Sequence, residues 1–265
     1  MTTAPRELGE YAVRLALGAA ELIRRTDRRE LDVDSKSTST DLVTAVDHAS
    51  ERWLIEQIMR DRPGDAVLGE EGGSHLGTTG VRWVLDPIDG TVNFVLGLPQ
   101  YAVSVAAQVD ETFVAGAVCN PVSGELFHAT LGGGSWLGER RLSGPRAVDL
   151  DRAVIGTGFG YDREQRSRQA AVAAAVLAHV ADIRRIGSAA LDLCSVACGR
   201  LDGYFEAGLN PWDYGAGALI AAEAGCAVSG LRGEPLSSRM AVVAAPELAP
   251  PLLALLEQLE ADGQR

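Results

Sequence analysis

Histidine and cysteine are scarce in this chain, with four of each in 265 residues. His48, His75, His128 and His179 are scattered, and none lies near a cysteine pair. That argues against a zinc or iron centre. Cys119, Cys194, Cys198 and Cys226 are therefore read as reduced thiols acting as small core residues, although Cys194 and Cys198 share a helix face. A long hydrophobic run is also lacking. The longest apolar stretch, from Ala170 to Ala181, is too short and too alanine-rich to span a bilayer. The opening residues Met-Thr-Thr-Ala-Pro-Arg-Glu contain no signal-peptide core, so a cytoplasmic protein with no membrane partner is expected. Positive charge is in deficit: 24 Lys and Arg face 36 Asp and Glu, a net charge of −12. This disfavours direct nucleic-acid binding. It leaves a phosphate substrate open, because a bound cation supplies positive field locally.

What is present fits a globular enzyme. Hydrophobic residues make up 46% and charged residues 23%, outside the range of disordered chains. The length suffices for one large or two small domains. Glycine, at 30 residues, exceeds the norm of roughly 7% and implies many tight turns.

Helical spacing of apolar residues predicts helices over 6–26 and 44–60. Between them, Asp34 to Thr40 reads as a polar, mobile loop containing Lys36. A short strand over 66–68 leads into the glycine-rich loop that begins Gly69-Glu70-Glu71-Gly72-Gly73. Tyr101–Val109 and Thr112–Cys119 form an expected hairpin turning at Asp110-Glu111. Residues 132–146 look like a loop and mark the expected boundary between an N-terminal subdomain, 1–145, and a C-terminal one, 146–265. The second part alternates strands (154–157, 182–186, 202–206, 227–229, 242–244) with helices (162–180, 188–198, 211–224, 247–261). Such alternation predicts an α/β layered architecture with helices covering both sheets.

The chemistry concentrates in Trp83-Val-Leu-Asp86-Pro-Ile88-Asp89-Gly90-Thr91. A buried strand over 83–85 is expected to end at Asp86, with Asp86 to Thr91 as the loop at its carboxyl end, where α/β sheets place ligands. Two carboxylates and a backbone carbonyl on one turn suit a hard divalent cation. Gly90 and Thr91 would offer N–H groups to an anion. A polar turn capped by Asp and Gly explains the same residues. Asp213, in Asn210-Pro-Trp-Asp-Tyr-Gly-Ala-Gly217, is equally readable as a helix cap or as a metal ligand. Glu70 follows a strand, as solvated glutamates often do.

Four segments in this order carry a resemblance to the inositol monophosphatase family: Asp41-Leu-Val-Thr-Ala-Val-Asp47, Gly69-Glu70-Glu71, Trp83 to Phe94, and Pro211 to Gly217. The chain resembles the bacterial, especially actinobacterial, enzymes of this group. The resemblance implies a layered αβαβα sandwich of the inositol monophosphatase and fructose-1,6-bisphosphatase type, with most metal ligands in the first subdomain and Asp213 in the second. It implies two to three Mg²⁺ ions and sensitivity to lithium. Glu70, Asp86 and the Ile88 carbonyl would hold the first ion. Asp86, Asp89 and Asp213 would hold the second, and Glu70 a weaker third. Asp47, Thr91 and Glu70 are the implied catalytic residues, with Thr91 and Asp47 orienting and deprotonating the attacking water. Asp89, Gly90, Thr91, Gly187, Ser188, Ala189 and Glu206 are the implied substrate contacts; a strand-end surface charge is the alternative for Glu206. Lys36 corresponds to a mobile-loop lysine near the metals. One departure is Gly215, where alanine is more usual, and a slightly looser helix is expected there.

The expected activity is Mg²⁺-dependent hydrolysis of myo-inositol monophosphate by a homodimer. Fructose-1,6-bisphosphatase, histidinol-phosphatase and 3′-phosphonucleotide phosphatase activities are the enzymatic alternatives. For a second phosphate, Arg184 and Arg185 are candidates. The non-enzymatic alternative is assembly with transcription or RNA-processing machinery.

Overall fold

The computed structural model describes residues 4–26, 33–35 and 42–263. Lys36 lies outside the described residues, as does the rest of the expected loop beyond Ser35.

The chain opens with α1 (Pro5–Arg24), which starts on proline, carries Glu7 in its first turn and ends on a basic residue, in keeping with the helix dipole. Two short strands, β1 (Val33–Ser35) and β2 (Leu42–Thr44), pair antiparallel. Helix α2 (Ala45–Asp61) follows at once. Its cap is reciprocal: the Thr44 hydroxyl accepts from the N–H groups of Val46 and Asp47, and Asp47 Oδ2 accepts the Thr44 N–H at 2.9 Å.

Next come β3 (Ala66–Gly69), β4 (Ser74–His75), β5 (Val81–Asp89) and the short α3 (Thr91–Leu96). Then β6 (Ala102–Val109), β7 (Thr112–Cys119), β8 (Leu126–Thr130), β9 (Gly134–Leu137) and β10 (Arg140–Arg141) complete an eight-stranded sheet in the order β10-β9-β8-β7-β6-β5-β3-β4. The hairpin between β6 and β7 turns at Asp110 and Glu111 as expected, both with positive φ. Residues 132–146 differ from expectation. They hold a further hairpin, β9–β10, whose strands are short and whose turn at Gly138 takes positive φ, as do Gly132 and Gly134 at the entry to β9. Turn residues dominate the composition there and hide two short strands, of which β10 is the sheet edge.

The rest of the chain alternates as its pattern indicates: β11 (Val154–Thr157), α4 (Arg163–Leu177), β12 (Asp182–Arg184), α5 (Ala189–Ala197), β13 (Gly203–Glu206), α6 (Pro211–Glu223), β14 (Ala227–Ser229), β15 (Ala241–Ala244) and α7 (Ala249–Gln258). The second sheet runs β12-β11-β13-β15-β14.

Five layers result. In the first sheet, alternate residues point to opposite faces. Trp83, Leu85, Val103, Val105 and Ala107 pack under α1 and α2. Val84, Ala102, Ala106 and Val118 face the other way, toward α5 and α6. Those helices fill the space between the sheets, and α7 lies on the outer face of the second with Val176 of α4. The architecture is the expected αβαβα sandwich. Among the described residues no helix is long and apolar enough to cross a membrane. The four thiols are free, with Cys119, Cys194 and Cys226 buried.

Small residues bring α6 unusually close to its neighbours. A Cβ added at Gly116 of β7 would lie 2.9 Å from the Ala216 Cα, and one at Gly217 would lie 2.8 Å from the Leu193 Cβ on α5. Gly215 has the same explanation: a Cβ there would meet the Phe113 ring at 2.6 Å. The glycine makes room for that ring.

Candidate active site

Strand β5 does not stop at Asp86. It continues through Asp89, with a register shift against β6: Asp86 opposes Ser104 and Asp89 opposes Ala102. Pro87 and Ile88 therefore face the single residue Val103. This is a β-bulge, one of the few places in a sheet where proline is tolerated. The expectation of a loop fails because a bulge leaves no mark on apolar periodicity. Its effect is specific. Residues three apart in a regular strand point to opposite faces, and the extra residue returns Asp89 to the side of Asp86.

Ligand oxygens of Asp86, Asp89 and Asp213 lie within 4.8 Å of one another, the one such acidic group among the described residues. They line a cavity of about 410 Å³ together with Glu70, Ile88 and Thr91. Asp86 and Asp89 are buried. Burial, then the negative charges of Glu70, Asp89 and Asp213, hold the Asp86 carboxyl well above the carboxylate range. Burial, then Asp89, does the same to Asp213. Burial also pushes Asp89 up to about 6, against hydrogen bonds from Ser188 and from the N–H groups of Ala190 and Ala189. Mutually repelling buried carboxyls, with only oxygen donors, fit a hard cation such as Mg²⁺.

Each carboxylate is held by a different element. Ser188 caps α5, accepting the Leu191 N–H at 3.3 Å, and donates its hydroxyl to Asp89 Oδ2. The Ala190 N–H donates to the same oxygen at 2.7 Å. Asp213 Oδ2 accepts the Asn210 N–H at 2.6 Å. Capping and membership of the acidic group are therefore compatible at Asp213. The Ser104 hydroxyl donates to the Trp212 carbonyl at 3.1 Å, tying the first turn of α6 to β6.

Beside the trio, the Thr91 hydroxyl lies 3.0 Å from Asp47 Oδ1 and 3.0 Å from the Ile88 carbonyl. Gly90, at φ 94°, precedes Thr91, and a Cβ on it would meet the Gly187 carbonyl at 2.9 Å. Gly187 is itself at φ 90°. Asn93 donates to the carbonyls of Gln100 (2.6 Å) and Ile186 (2.9 Å), which joins α3 to the turn before α5.

Glu206 lines the same cavity. It accepts the Tyr204 hydroxyl, and burial pushes its carboxyl up to about 7. Of the two arginines, Arg185 lines the cavity, whereas Arg184 is turned to Asp182. Gly187, Ser188 and Ala189 also line it.

Three groups escaped the sequence reading. Asp192 on α5 lines the cavity, is buried, and has no hydrogen-bond partner for Oδ1. Burial first, then Glu206 and Asp89, raises its carboxyl well above the usual range. Tyr204 is fully buried beside Glu206. Glu51 is buried on α2 and accepts the N–H groups of Glu71 and Gly73, each at 2.9 Å. Glu51 and Tyr204 left signals: Glu51 stands four residues after Asp47, on the same helix face, and Tyr204 stands two before Glu206, on the same strand face.

The sequence and the architecture have close counterparts. The family model described as the inositol monophosphatase family matches residues 4–261. An inositol-1-monophosphatase of Mycobacterium leprae is 46% identical over 275 aligned positions, covering 96% of this chain and 94% of the relative. The Nus factor SuhB of Escherichia coli K12 is 42% identical, with 84% of each chain covered. The solved structure of Mycobacterium tuberculosis SuhB superposes with a TM-score of 0.84 at 44% identity, covering 98% of this chain and 99% of that one. The chain belongs to the inositol monophosphatase family.

Proposed function

We propose that this phosphatase hydrolyses myo-inositol monophosphate to inositol and phosphate, and that it does so with two to three Mg²⁺ ions. The observation that carries the reading is the approach of Asp86, Asp89 and Asp213 to within 4.8 Å in a cavity that also presents Glu206. Glu70, Asp86 and the Ile88 carbonyl would hold one ion, Asp86, Asp89 and Asp213 a second, and Glu70 a weaker third. When bound, the cations neutralise charge on the phosphoryl group and acidify water.

The protein's own groups do the rest. Thr91, donating its proton to Asp47, leaves its oxygen lone pairs free to accept a hydrogen bond from the attacking water. Asp47 then receives the proton through Thr91. The N–H groups of Gly90 and Thr91 hold the phosphate. Glu206 accepts hydroxyl hydrogen bonds from the leaving inositol. Ser188 contributes chiefly by fixing Asp89, to which its hydroxyl is already committed. Metal ligands up to Asp89 would belong to a subdomain of residues 1–145, and Asp213 with the polyol contacts to one of 146–265.

A homodimer acting on a small molecule in the cytoplasm, with no direct nucleic-acid contact, fits the net charge of −12. Exposed Leu96, Leu98 and Val122 offer an apolar patch for a second copy; Asn120 binds the Pro99 carbonyl at 3.0 Å and keeps their loops together.

The test is kcat/KM for a panel of phosphomonoesters, with Mg²⁺ and after metal stripping. Inositol phosphate should lead the panel over fructose 1,6-bisphosphate, histidinol phosphate and 3′-phosphonucleotides. Full turnover without metal, or restored only by zinc, would sink the mechanism. Tens of millimolar Li⁺ should inhibit.

A further inference from the structure

Two of the segments that carry acidic groups into the cleft, the turn after β3 and the end of β5, are both held by α2. Asp47 and Glu51 stand four apart on this helix, so they project from one face. Both are buried, at 0% and 4% exposure. Asp47 reaches Thr91 in the segment after β5. Glu51 reaches the turn between β3 and β4, where its two oxygens accept the N–H groups of Glu71 and Gly73, each at 2.9 Å. The turn is shaped to that carboxylate. A Cβ at Gly69 would lie 2.1 Å from Glu51 Oε2, and one at Gly73 would lie 2.6 Å from Oε1. Neither glycine has positive φ. At Gly69, where the three nearest atoms all belong to Glu51, the carboxylate stands where a side chain would be.

Glu70 sits inside this clamp. Its N–H donates to the Leu85 carbonyl at 3.1 Å, and its carboxyl hydrogen-bonds Asp86. We propose that Glu51 is a positioning residue for Glu70: it fixes the turn so that the Glu70 carboxyl meets Asp86, and it thereby sets the affinity of the cation position those two share. The inference rests on the metal role proposed for Glu70. Groups that hydrogen-bond around a metal site typically change affinity by about 10–100-fold when removed. Glutamine at 51 keeps the length but exchanges one acceptor oxygen for an NH₂ donor, which then opposes a backbone N–H.

The experiment titrates metal-stripped wild type, Glu51→Gln, Gly69→Ala and Glu70→Gln with Mn²⁺ by calorimetry. It also records the Tm of each stripped protein and the Mg²⁺ dependence of turnover. Glu51→Gln should weaken, by about 10–100-fold, the same class of Mn²⁺ sites that Glu70→Gln weakens. Its half-saturating Mg²⁺ should rise, with kcat recovered at high Mg²⁺. Gly69→Ala pushes on the Glu51 carboxylate from the opposite side and should weaken that same class, which preserves the test if Glu51→Gln fails to fold. If Glu70→Gln loses a class of sites while Glu51→Gln and Gly69→Ala keep it, with or without a fall in stripped Tm, Glu51 is merely structural and the inference is overturned. If Glu70→Gln itself binds Mn²⁺ like wild type, the metal role of Glu70 fails and this inference fails with it.

Discussion

The hydroxyl of Thr91 lies 3.0 Å from a carboxylate oxygen of Asp47, and both side chains are buried. The Ile88 carbonyl competes for the same proton at 3.0 Å, and one O–H serves only one acceptor well at a time. A cation on the Ile88 carbonyl would direct that proton to Asp47. Thr91→Ala should therefore lower kcat by about 10²–10⁴-fold, the usual range for a lost acid–base group, with a smaller change in KM. Thr91→Ser should recover most of the rate. Steady-state kinetics at saturating Mg²⁺ decide it, and a Thr91→Ala enzyme with normal kcat would remove Thr91 from the proton path.

Asp213 separates folding from catalysis. Asparagine at this third position of α6 still offers an amide oxygen to the Asn210 N–H, and Asp213→Asn removes one member of a repelling trio. The stripped variant should melt at or above the wild-type temperature near pH 7.5, while kcat falls steeply. A lower Tm with near-normal turnover would make Asp213 a cap alone.

Glu206 should read the alcohol and leave the phosphate alone, because a carboxylate beside phosphate repels it. Charge-assisted hydrogen bonds contribute about 1.5–3 kcal/mol, so Glu206→Gln should reduce kcat/KM for inositol phosphate by roughly ten- to a hundredfold. Hydrolysis of p-nitrophenyl phosphate, which has no hydroxyls, should barely change. Equal losses on both substrates would instead assign Glu206 to the fold or the metal site.

The stripped protein should lose stability as pH rises. Asp89 is pushed up to about 6 and Glu206 up to about 7, chiefly by burial, against ordinary values of about 3.9 and 4.3. Between those limits the native state holds protons that the unfolded chain has released, so the stability these groups contribute is present below about pH 4 and is lost through about pH 7. Tm in chelator should fall across that window. Mg²⁺ should restore it at the upper end, as a ligand of the native state does. A Tm that stays flat or rises in chelator would contradict these shifts.

The layers were legible from the sequence because they rest on period. The 3–4 spacing from Leu8 to Ile23 and the alternation in β6 and β7 each commit a face. The acidic residues were legible as types in local motifs. Their convergence was not, because Asp213 arrives on α6 through the close contact of Gly116 with Ala216, which no local pattern encodes. The β9–β10 hairpin was masked by its own turn glycines. Asp192 reads as an ordinary member of α5, and only packing brings it to Glu206. Tyr204 stands two before Glu206 on β13, so their shared strand face was legible, while the hydroxyl–carboxyl contact was not.

The bulge in β5 makes the pairing register past Asp86 a constraint in its own right. A slip that paired β5 residue for residue with β6 beyond Asp86 would keep every side chain and send Asp89 to the opposite face of the sheet. Deleting Pro87 removes the extra residue instead. Asp86 and Asp89 would then stand two apart in a regular strand and still share a face, opposite Ser104 and Ala102 as they do now. The acidic trio therefore depends on the match between aspartate spacing and bulge, and a regular strand at the present spacing would erase the trio while leaving each of its aspartates in the chain.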